Sequence, residues 1–368
     1  MKIERIELHL VNMPLVKPFE TSFGREDREV HIIVKIYADG LIGYGESPVG
    51  QTPGYAYETG ETAWHIQSEF LAPAIINREI SDIEDFLKMT APVRGHHFAK
   101  HGFECALWHL FSLQQNKPLY QLLGGTQKII RSGVSVGIQK SIAELLGVIG
   151  DFLDEGYKRI KIKIKPGWDF EPVKAIREKF GDVPLMADAN SAYSLQDISL
   201  FRELDPFSLM MIEQPLHYQD LTQHAQLQKQ IKTPVCLDES IAGVAMAEAA
   251  IALKSCKIIN IKPARVGGLT KAKQIHDLCQ NNRIPVWCGG MLEMGIGRAC
   301  NIALSTLPNF TLPGDVSSSK KYFHRDIINP EILFENGELT VPEEPGLGFI
   351  PDDAVIAKFT ENRWVLSG

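Results

Sequence analysis

The sequence lacks the cysteine patterns that identify several common classes of protein. It contains no Cys-x-x-Cys pair, and its six cysteines are far apart, at positions 105, 236, 256, 279, 288 and 300. Zinc ribbons and disulfide frameworks both require closer and more regular spacing, so neither is expected. We predict reduced, mostly buried thiols.

Long apolar runs are also missing. No segment approaches the roughly 18 consecutive apolar residues of a membrane-spanning helix, and charges interrupt the amino-terminal MKIERIELHL where a signal peptide would be apolar. The sequence therefore predicts a cytoplasmic protein that does not contact a membrane.

A basic surplus is absent as well. Lys and Arg number 38 against 45 Asp and Glu, giving a formal charge of −7. Nucleic-acid binding usually depends on a basic surface that neutralises phosphates, so it is not expected. With 44% hydrophobic and 8% aromatic residues, the composition is that of a globular protein. The length of 368 residues predicts two domains, or one barrel with an appendage.

Two patterns divide the chain. Residues 1–125 combine strand-like segments (3–11 and 30–37), a hairpin turn at Asp39-Gly40 and helical periodicity over 58–123, which predicts an α+β unit. Short apolar runs then alternate with helical segments, which predicts parallel βαβ units. Eight such units favour a TIM-type barrel, with an open doubly wound sheet as the alternative. The candidate strands are 133–138, 159–164, 185–190, 209–215, 235–240, 258–263, 286–290 and 310–314.

Charged residues recur at the ends of five of these strands. They are separated by 25, 25, 25 and 24 residues: Lys163, Asp188, Glu213, Asp238 and Lys262. In a closed barrel they would meet at one level around the mouth. Three confined carboxylates require a cation, and an all-oxygen ligand set favours Mg²⁺, with Mn²⁺ as a substitute. Taken singly, a strand-end Asp is more often a helix cap or turn residue.

Lysines dominate one face of the second strand, where Lys161, Lys163 and Lys165 alternate with isoleucines. This pattern also fits a solvated edge strand. At the mouth of a barrel, burial and neighbouring positive charge are expected to lower a lysine pKa, so that the amine can remove a proton next to a metal-bound carboxylate.

The sequence resembles the enolase superfamily over essentially its whole length. The resemblance implies a modified (β/α)₇β barrel over 126–324, capped by an α+β domain of residues 1–125 that segment 325–368 completes. Within the superfamily it is similar to the o-succinylbenzoate synthase family, including its N-succinylamino acid racemase branch. The motifs that carry the likeness are RIKIKIKPGWD (159–169), MADANSAY (186–193), IEQP (212–215), CLDES (236–240), NIKPARVGG (260–268), VWCGGMLEMGIGRA (286–299) and FTLPGDVSSS (310–319).

The resemblance implies a role for each matched residue. Lys163 is the base, Lys262 the opposing lysine and Lys161 the supporting lysine of a Lys-x-Lys motif. Asp188, Glu213 and Asp238 are the implied Mg²⁺ ligands. Relatives often carry an acidic residue where this chain has Lys165, so spacing alone leaves open which of Lys163 and Lys165 is the base.

Three functions remain open at this stage. The first is dehydration of a succinyl-substituted hydroxycyclohexadiene carboxylate in menaquinone biosynthesis. The second is racemisation of an N-acylated amino acid by Lys163 and Lys262, with Arg265 lowering the pKa of Lys262 or bonding to the barrel rim. Both activities can coexist. The third is a metal-binding scaffold without catalysis.

Other residues are assigned by position. Ser135, Asn190, Gly290 and Met291 are expected to contact substrate, and Glu239 to support the neighbouring Asp238. Segment 19–25 is either a lid over the barrel mouth or a simple connection. The expected partner is a small-molecule carboxylate, and the expected assembly is a homo-oligomer.

Overall fold

The computed structural model describes residues 1–20 and 24–368. The chain begins with an antiparallel meander of β1 (Ile3–Glu20), β2 (Arg25–Ala38) and β3 (Leu41–Ser47). Asp39 and Gly40, which join β2 to β3, have φ values of 50° and 75°. The tight hairpin turn predicted at this pair is therefore confirmed.

Helices cover one face of this meander. Gly43 and Gly45 of β3 let the longest helix approach closely, because a Cβ at either position would collide with the backbone of that helix. Asp82 accepts a backbone N–H at the start of one of these helices, as an N-cap does. The helices of this unit are α1 (Gly60–Ile66), continued by a π-helical turn (Gln67–Leu71), α2 (Ala72–Ile75), α3 (Ile83–Thr90), α4 (His97–Gln114) and α5 (Leu119–Leu123).

Parallel strands form the second part of the chain, and each is shorter than the sequence predicted. After the short β4 (Ile129–Arg131), seven strands form one parallel sheet in sequential order. They are β5 (Val134–Val136), β6 (Ile160–Lys163), β7 (Leu185–Asp188), β8 (Ile212–Glu213), β9 (Val235–Leu237), β10 (Ile258–Ile261) and β11 (Val286–Cys288).

The eighth predicted strand closes this sheet through isolated backbone bridges. Phe310 pairs with Val286 beside β11, and Gly314 pairs with Ser132 just before β5. Segment 310–314 thus joins both ends of the sheet. The (β/α)₇β barrel with an α+β cap is confirmed, and the open doubly wound sheet is wrong.

Helices surround the barrel. Ile160 and Ile162 of β6 pack outwards into the main hydrophobic core, while Lys161 and Lys163 of the same strand face the interior. The helices are α6 (Ile142–Asp154), α7 (Phe170–Phe180), α8 (Ile198–Leu204), α9 (Thr222–Gln228), α10 (Val244–Leu253), α11 (Pro263–Val266), α12 (Leu269–Asn281) and α13 (Gly295–Ser305).

The end of the chain returns to its beginning. The last strand is antiparallel to β1, and an earlier short strand pairs with β4. The domain boundaries at 125/126 and 324/325 stay a prediction. The closing elements are β12 (Ile328–Asn329), β13 (Glu338–Thr340), β14 (Ile350–Pro351), α14 (Asp353–Phe359) and β15 (Thr360–Ser367).

Two further expectations concern the chain as a whole. All six cysteines are free and buried, which confirms the prediction of reduced, buried thiols. Within the described residues, no helix is both long enough and apolar enough to span a bilayer.

Candidate active site

The barrel strands align their charged ends. Backbone register pairs Lys163 with Asp188, and Asp188 with Glu213. Asp238 directly follows β9 and Lys262 directly follows β10. All five side chains are at least nine-tenths buried. The regular spacing in the sequence thus corresponds to one ionic layer at the carboxyl-terminal end of the barrel.

Lys163 is held between two side chains of the next βα unit. Its Nζ donates to Asp188 Oδ2 at 2.6 Å and to Asn190 Oδ1 at 2.6 Å. Asn190 follows β7 with a positive φ of 41°, and its backbone N–H donates to Asp188 Oδ1 at 3.0 Å. The left-handed turn after β7 therefore brings both partners to the same lysine.

Asp188 and Glu213 differ in their titration because their neighbours differ. Although burial opposes it, the charges of Lys163 and Lys161 hold the pKa of Asp188 well below its usual range. Burial, followed by the negative charge of Asp188, raises the pKa of Glu213. Glu213 accepts hydrogen bonds from Asn260 Nδ2 at 2.6 Å and from Lys161 Nζ at 3.1 Å.

The other end of the ionic layer is built around Asp238. Its Oδ2 accepts from Lys262 Nζ at 2.9 Å, and its Oδ1 accepts from the Tyr55 hydroxyl at 2.9 Å and from Arg265 Nη1. Arg265 also donates through Nε to the Ile241 carbonyl at 2.8 Å. Arg265 thus bonds both a carboxylate and the barrel rim. Bonding to the rim is one of the two roles expected for this residue.

The expected lowering of the lysine pKa values is wrong for two residues in this arrangement. Burial alone would lower the pKa of Lys262, but Tyr55, Glu213 and Glu239 together raise it above its ordinary value. The pKa of Lys161 is also raised, although burial alone would lower it. Carboxylates surround each of these two lysines and outweigh the positively charged neighbours on which the expectation was based.

Sequence reasoning missed two residues of the site. Asp315 contacts Lys161 Nζ at 2.5 Å and Arg159 Nη2 at 2.8 Å. It directly follows the eighth candidate strand, so the rule that identified the other carboxylates applies to it too. Tyr55, whose ring centroid lies 4.3 Å from Lys262 Nζ, is in an irregular loop that carries no periodic signal.

A cavity opens above the ionic layer, between barrel and cap. All four residues predicted to contact substrate line it: Ser135, Asn190, Gly290 and Met291. Lys161, Lys163, Lys262 and Asp315 line it from the barrel, and Phe19, Glu26, Glu29 and Tyr55 from the cap. The lysines of the described lining thus come from the barrel, and the cap adds further aromatic and acidic side chains.

Three remaining expectations concern neighbouring residues. Glu239 accepts a hydrogen bond from Asn190 Nδ2 at 2.9 Å, and burial, followed by the charge of Asp188, raises its pKa to about 7. Lys165 lies in a turn closed by backbone hydrogen bonds with Trp168, and the cavity lining includes Lys163 but not Lys165. Residues 21–23 of the predicted lid lie outside the described residues, so the lid stays a prediction.

The three carboxylates suit a hard divalent cation in their chemistry. Across residues 1–20 and 24–368, no three Asp, Glu, His or Cys side chains converge closely enough to hold an ion, because lysines and Arg265 bond these carboxylates directly. The donor set is nevertheless all oxygen and buried, and Asp188 and Glu213 repel each other. A cation would relieve that repulsion, so the chemistry of this donor set fits Mg²⁺, and the carboxylates would have to turn from the lysines and Arg265 towards the ion.

Known proteins share this architecture. Residues 5–124 match the mandelate racemase / muconate lactonizing enzyme N-terminal domain, and residues 148–355 match the enolase C-terminal domain-like family. An o-succinylbenzoate synthase of Geobacillus kaustophilus is 48% identical over 98% of this chain and 96% of its own. An N-succinylamino acid racemase of Amycolatopsis is 44% identical over 99% and 100%. The crystal structure of an enolase superfamily member from Listeria innocua superposes with a TM-score of 0.96 at 40% identity, covering 100% of this chain and 99% of that one.

Proposed function

Because this chain belongs to the enolase superfamily, we propose that it is an o-succinylbenzoate synthase of menaquinone biosynthesis. The reaction removes water from a succinyl-substituted hydroxycyclohexadiene carboxylate and leaves an aromatic ring. One observation carries the proposal: the ammonium groups of Lys163 and Lys262 reach a single cavity from β6 and β10. Three strand positions separate β6 from β10 in either direction around the closed barrel, so the two lysines face each other across it.

Lys163 performs the proton transfers in this proposal. In its neutral form, Nζ takes the proton from the ring carbon that bears the carboxylate, and the electron pair moves onto that carboxylate as an enediolate. The ring carbon–oxygen bond then breaks, and the departing hydroxide takes the proton back from the Lys163 ammonium to form water. Asn190 Oδ1, at 2.6 Å, orients Nζ for both transfers.

The remaining charged residues stabilise the anionic intermediate. Lys262 stays charged on the opposite side of the cavity, held by Asp238 and by the face of Tyr55. Mg²⁺ bound by Asp188, Glu213 and Asp238, or Mn²⁺ in its place, would offset the negative charge that develops on the substrate carboxylate. Lys161 bonds Glu213 and Asp315 and holds these two carboxylates in place.

A second activity is favoured by the same opposed lysines. If Lys262 also cycles through its neutral form, the two amines can remove and return a proton on opposite faces of one carbon. That is the chemistry an N-succinylamino acid racemase requires, and a relative of that name matches 99% of this chain. The cytoplasmic location and the homo-oligomeric state stay predictions.

Incubation of the purified protein with Mg²⁺ and the cyclohexadiene substrate tests the primary proposal. We expect the diene absorbance to disappear as o-succinylbenzoate forms. A substrate that remains unchanged contradicts the proposal. Metal-dependent thermal stability without turnover or α-proton exchange would instead favour the non-catalytic scaffold.

A further inference from the structure

Lys321 is not among the lining residues of the cavity but contacts two of them, and it has no role in the mechanism above. It ends a 3₁₀ turn (Ser319–Lys321) that follows the eighth segment of the barrel. Its Nζ lies 3.4 Å from the Ser135 carbonyl oxygen and 3.3 Å from the Tyr322 hydroxyl. Both of these residues line the cavity. The ammonium group therefore lies directly behind the part of the cavity wall that Ser135 and Tyr322 form.

The three lysines that line the cavity already have carboxylate partners. Lys161 contacts Asp315 at 2.5 Å, Lys163 contacts Asp188 at 2.6 Å, and Lys262 contacts Asp238 at 2.9 Å. Within the part of the chain that the structure describes, Lys321 forms no such ion pair. Its described partners are two neutral oxygens and the rings of Phe152 and Tyr322, whose centroids lie 5.5 and 4.9 Å from Nζ.

The surroundings of Lys321 favour an incoming anion. Burial lowers the pKa of Lys321 to about 7; Arg159 and Lys161 add to this shift, while Asp315 opposes it. A nearby negative charge would stabilise the ammonium form. Ser135, whose carbonyl contacts Lys321, also offers a second donor. Its hydroxyl is buried and has no hydrogen-bond partner among the described residues.

We propose that Lys321 and the Ser135 hydroxyl bind the second carboxylate of the substrate, at the end of its succinyl chain. This inference rests on the proposed function, which assigns the ring carboxylate to the metal side of the cavity and leaves the succinyl carboxylate without a cation. A charge-assisted hydrogen bond from a partly buried ammonium is the strong kind of contact that selects a dicarboxylate over a neutral analogue. Lys321 is thus a binding and specificity residue.

Calorimetric titration in the presence of Mg²⁺ tests the inference without turnover. The ligands are o-succinylbenzoate and its analogue in which an amide replaces the terminal carboxylate. We expect Lys321→Gln to weaken binding of the dicarboxylate about 10- to 100-fold and to change binding of the amide little. Lys320→Gln is the matched control, because Lys320 is the exposed neighbour and carries the same charge. Lys321→Arg should keep most of the preference.

Each other outcome overturns the inference. Equal weakening of both ligands means that Lys321 shapes the cavity and does not recognise the charge. An unchanged dicarboxylate affinity in Lys321→Gln, or a wild-type protein that does not distinguish the two ligands, means that no carboxylate binds there. A protein that prefers the dicarboxylate through Lys321 yet does not dehydrate the diene refutes the proposed function and leaves this inference standing.

Discussion

Lys163 Nζ lies 2.6 Å from Asp188 Oδ2, and the two residues are direct partners in the register of β6 and β7. The proposed base and a proposed metal ligand are thus positioned by one pair of neighbouring strands. A change in either side chain is expected to disturb both the proton transfer and the binding of the cation.

Removal of the divalent cation should abolish turnover. We expect a chelator to stop dehydration, and added Mg²⁺ or Mn²⁺ to restore it, because the charge that develops on the substrate carboxylate then has no divalent cation beside it. Glu213→Gln should weaken Mg²⁺ binding strongly in a direct titration. Glu239→Gln is the comparison. Because Glu239 bonds Asn190 and is not a proposed metal ligand, this substitution should weaken Mg²⁺ binding less. Full activity in chelator would refute the metal-dependent account.

Opposed lysines predict enantiomer-specific losses of proton exchange. With N-succinyl amino acids in D₂O, the wild type should exchange the α-proton of both enantiomers. Lys163→Ala should lose exchange with one enantiomer and Lys262→Ala with the other, because each amine faces one side of the bound carbon. NMR follows the exchange. If the wild type exchanges only one enantiomer, the two-base mechanism is wrong.

Asp315 should matter for stability as well as for the site. It is buried against Arg159 and Lys161, so Asp315→Asn leaves the buried Arg159 without its carboxylate and removes the nearest of the carboxylates around Lys161. We expect a loss of about 3–5 kcal/mol in the free energy of unfolding, measured with urea. Glu178→Gln, in an exposed helical pair with Lys174, should change it by less than about 1 kcal/mol. Equal effects of the two substitutions would contradict the buried ion-pair reading.

His31 predicts a decline in stability at alkaline pH. Its side chain is fully buried, 2.7 Å from Glu46 and 3.6 Å from Glu29. Burial alone would lower the pKa of His31, but these carboxylates raise it from 6.5 to about 9. The contribution of the charged His31 to the stability of the fold is therefore complete below about pH 6.5 and is lost as the pH rises through 9. We expect the free energy of unfolding of the wild type to fall by roughly 3 kcal/mol over this range.

The control for this prediction is His31→Gln, which removes the titrating group. The free energy of unfolding of the variant should vary less between pH 6 and pH 9.5 than that of the wild type. Parallel curves for the two proteins would show that His31 is not charged in the folded state. His31 stabilises the junction between cap and barrel, because its partner Glu46 also accepts hydrogen bonds from the backbone N–H groups of Met294 and Gly297.

Periodic features were readable from the sequence. The 25-residue step between charged strand ends corresponds to one βα unit. The sequence alone therefore predicts that Lys163, Asp188 and Glu213 lie at one level of the barrel, and the strand register agrees. The direction of the lysine pKa shifts could not, because it depends on which carboxylates each ammonium meets in three dimensions. Tyr55 was equally inaccessible, since an irregular loop brings it to Asp238 from far away in the chain.

The choice between Lys163 and Lys165 shows the same limit. Both share one face in an extended strand, and only the end of β6 at Lys163 and the turn from Lys165 to Trp168 separate them. Asp315 is different, because its position directly after the last candidate strand is itself a signal in the sequence.

The most direct test of the central claim compares dehydration of the cyclohexadiene substrate by the wild type, Lys163→Ala and Lys165→Ala at saturating Mg²⁺. We predict a kcat about 10²- to 10⁴-fold lower for Lys163→Ala and near the wild-type value for Lys165→Ala, with both variants folded by circular dichroism. Loss of turnover in Lys165→Ala with only a modest decrease in Lys163→Ala would contradict the assignment of Lys163 as the base.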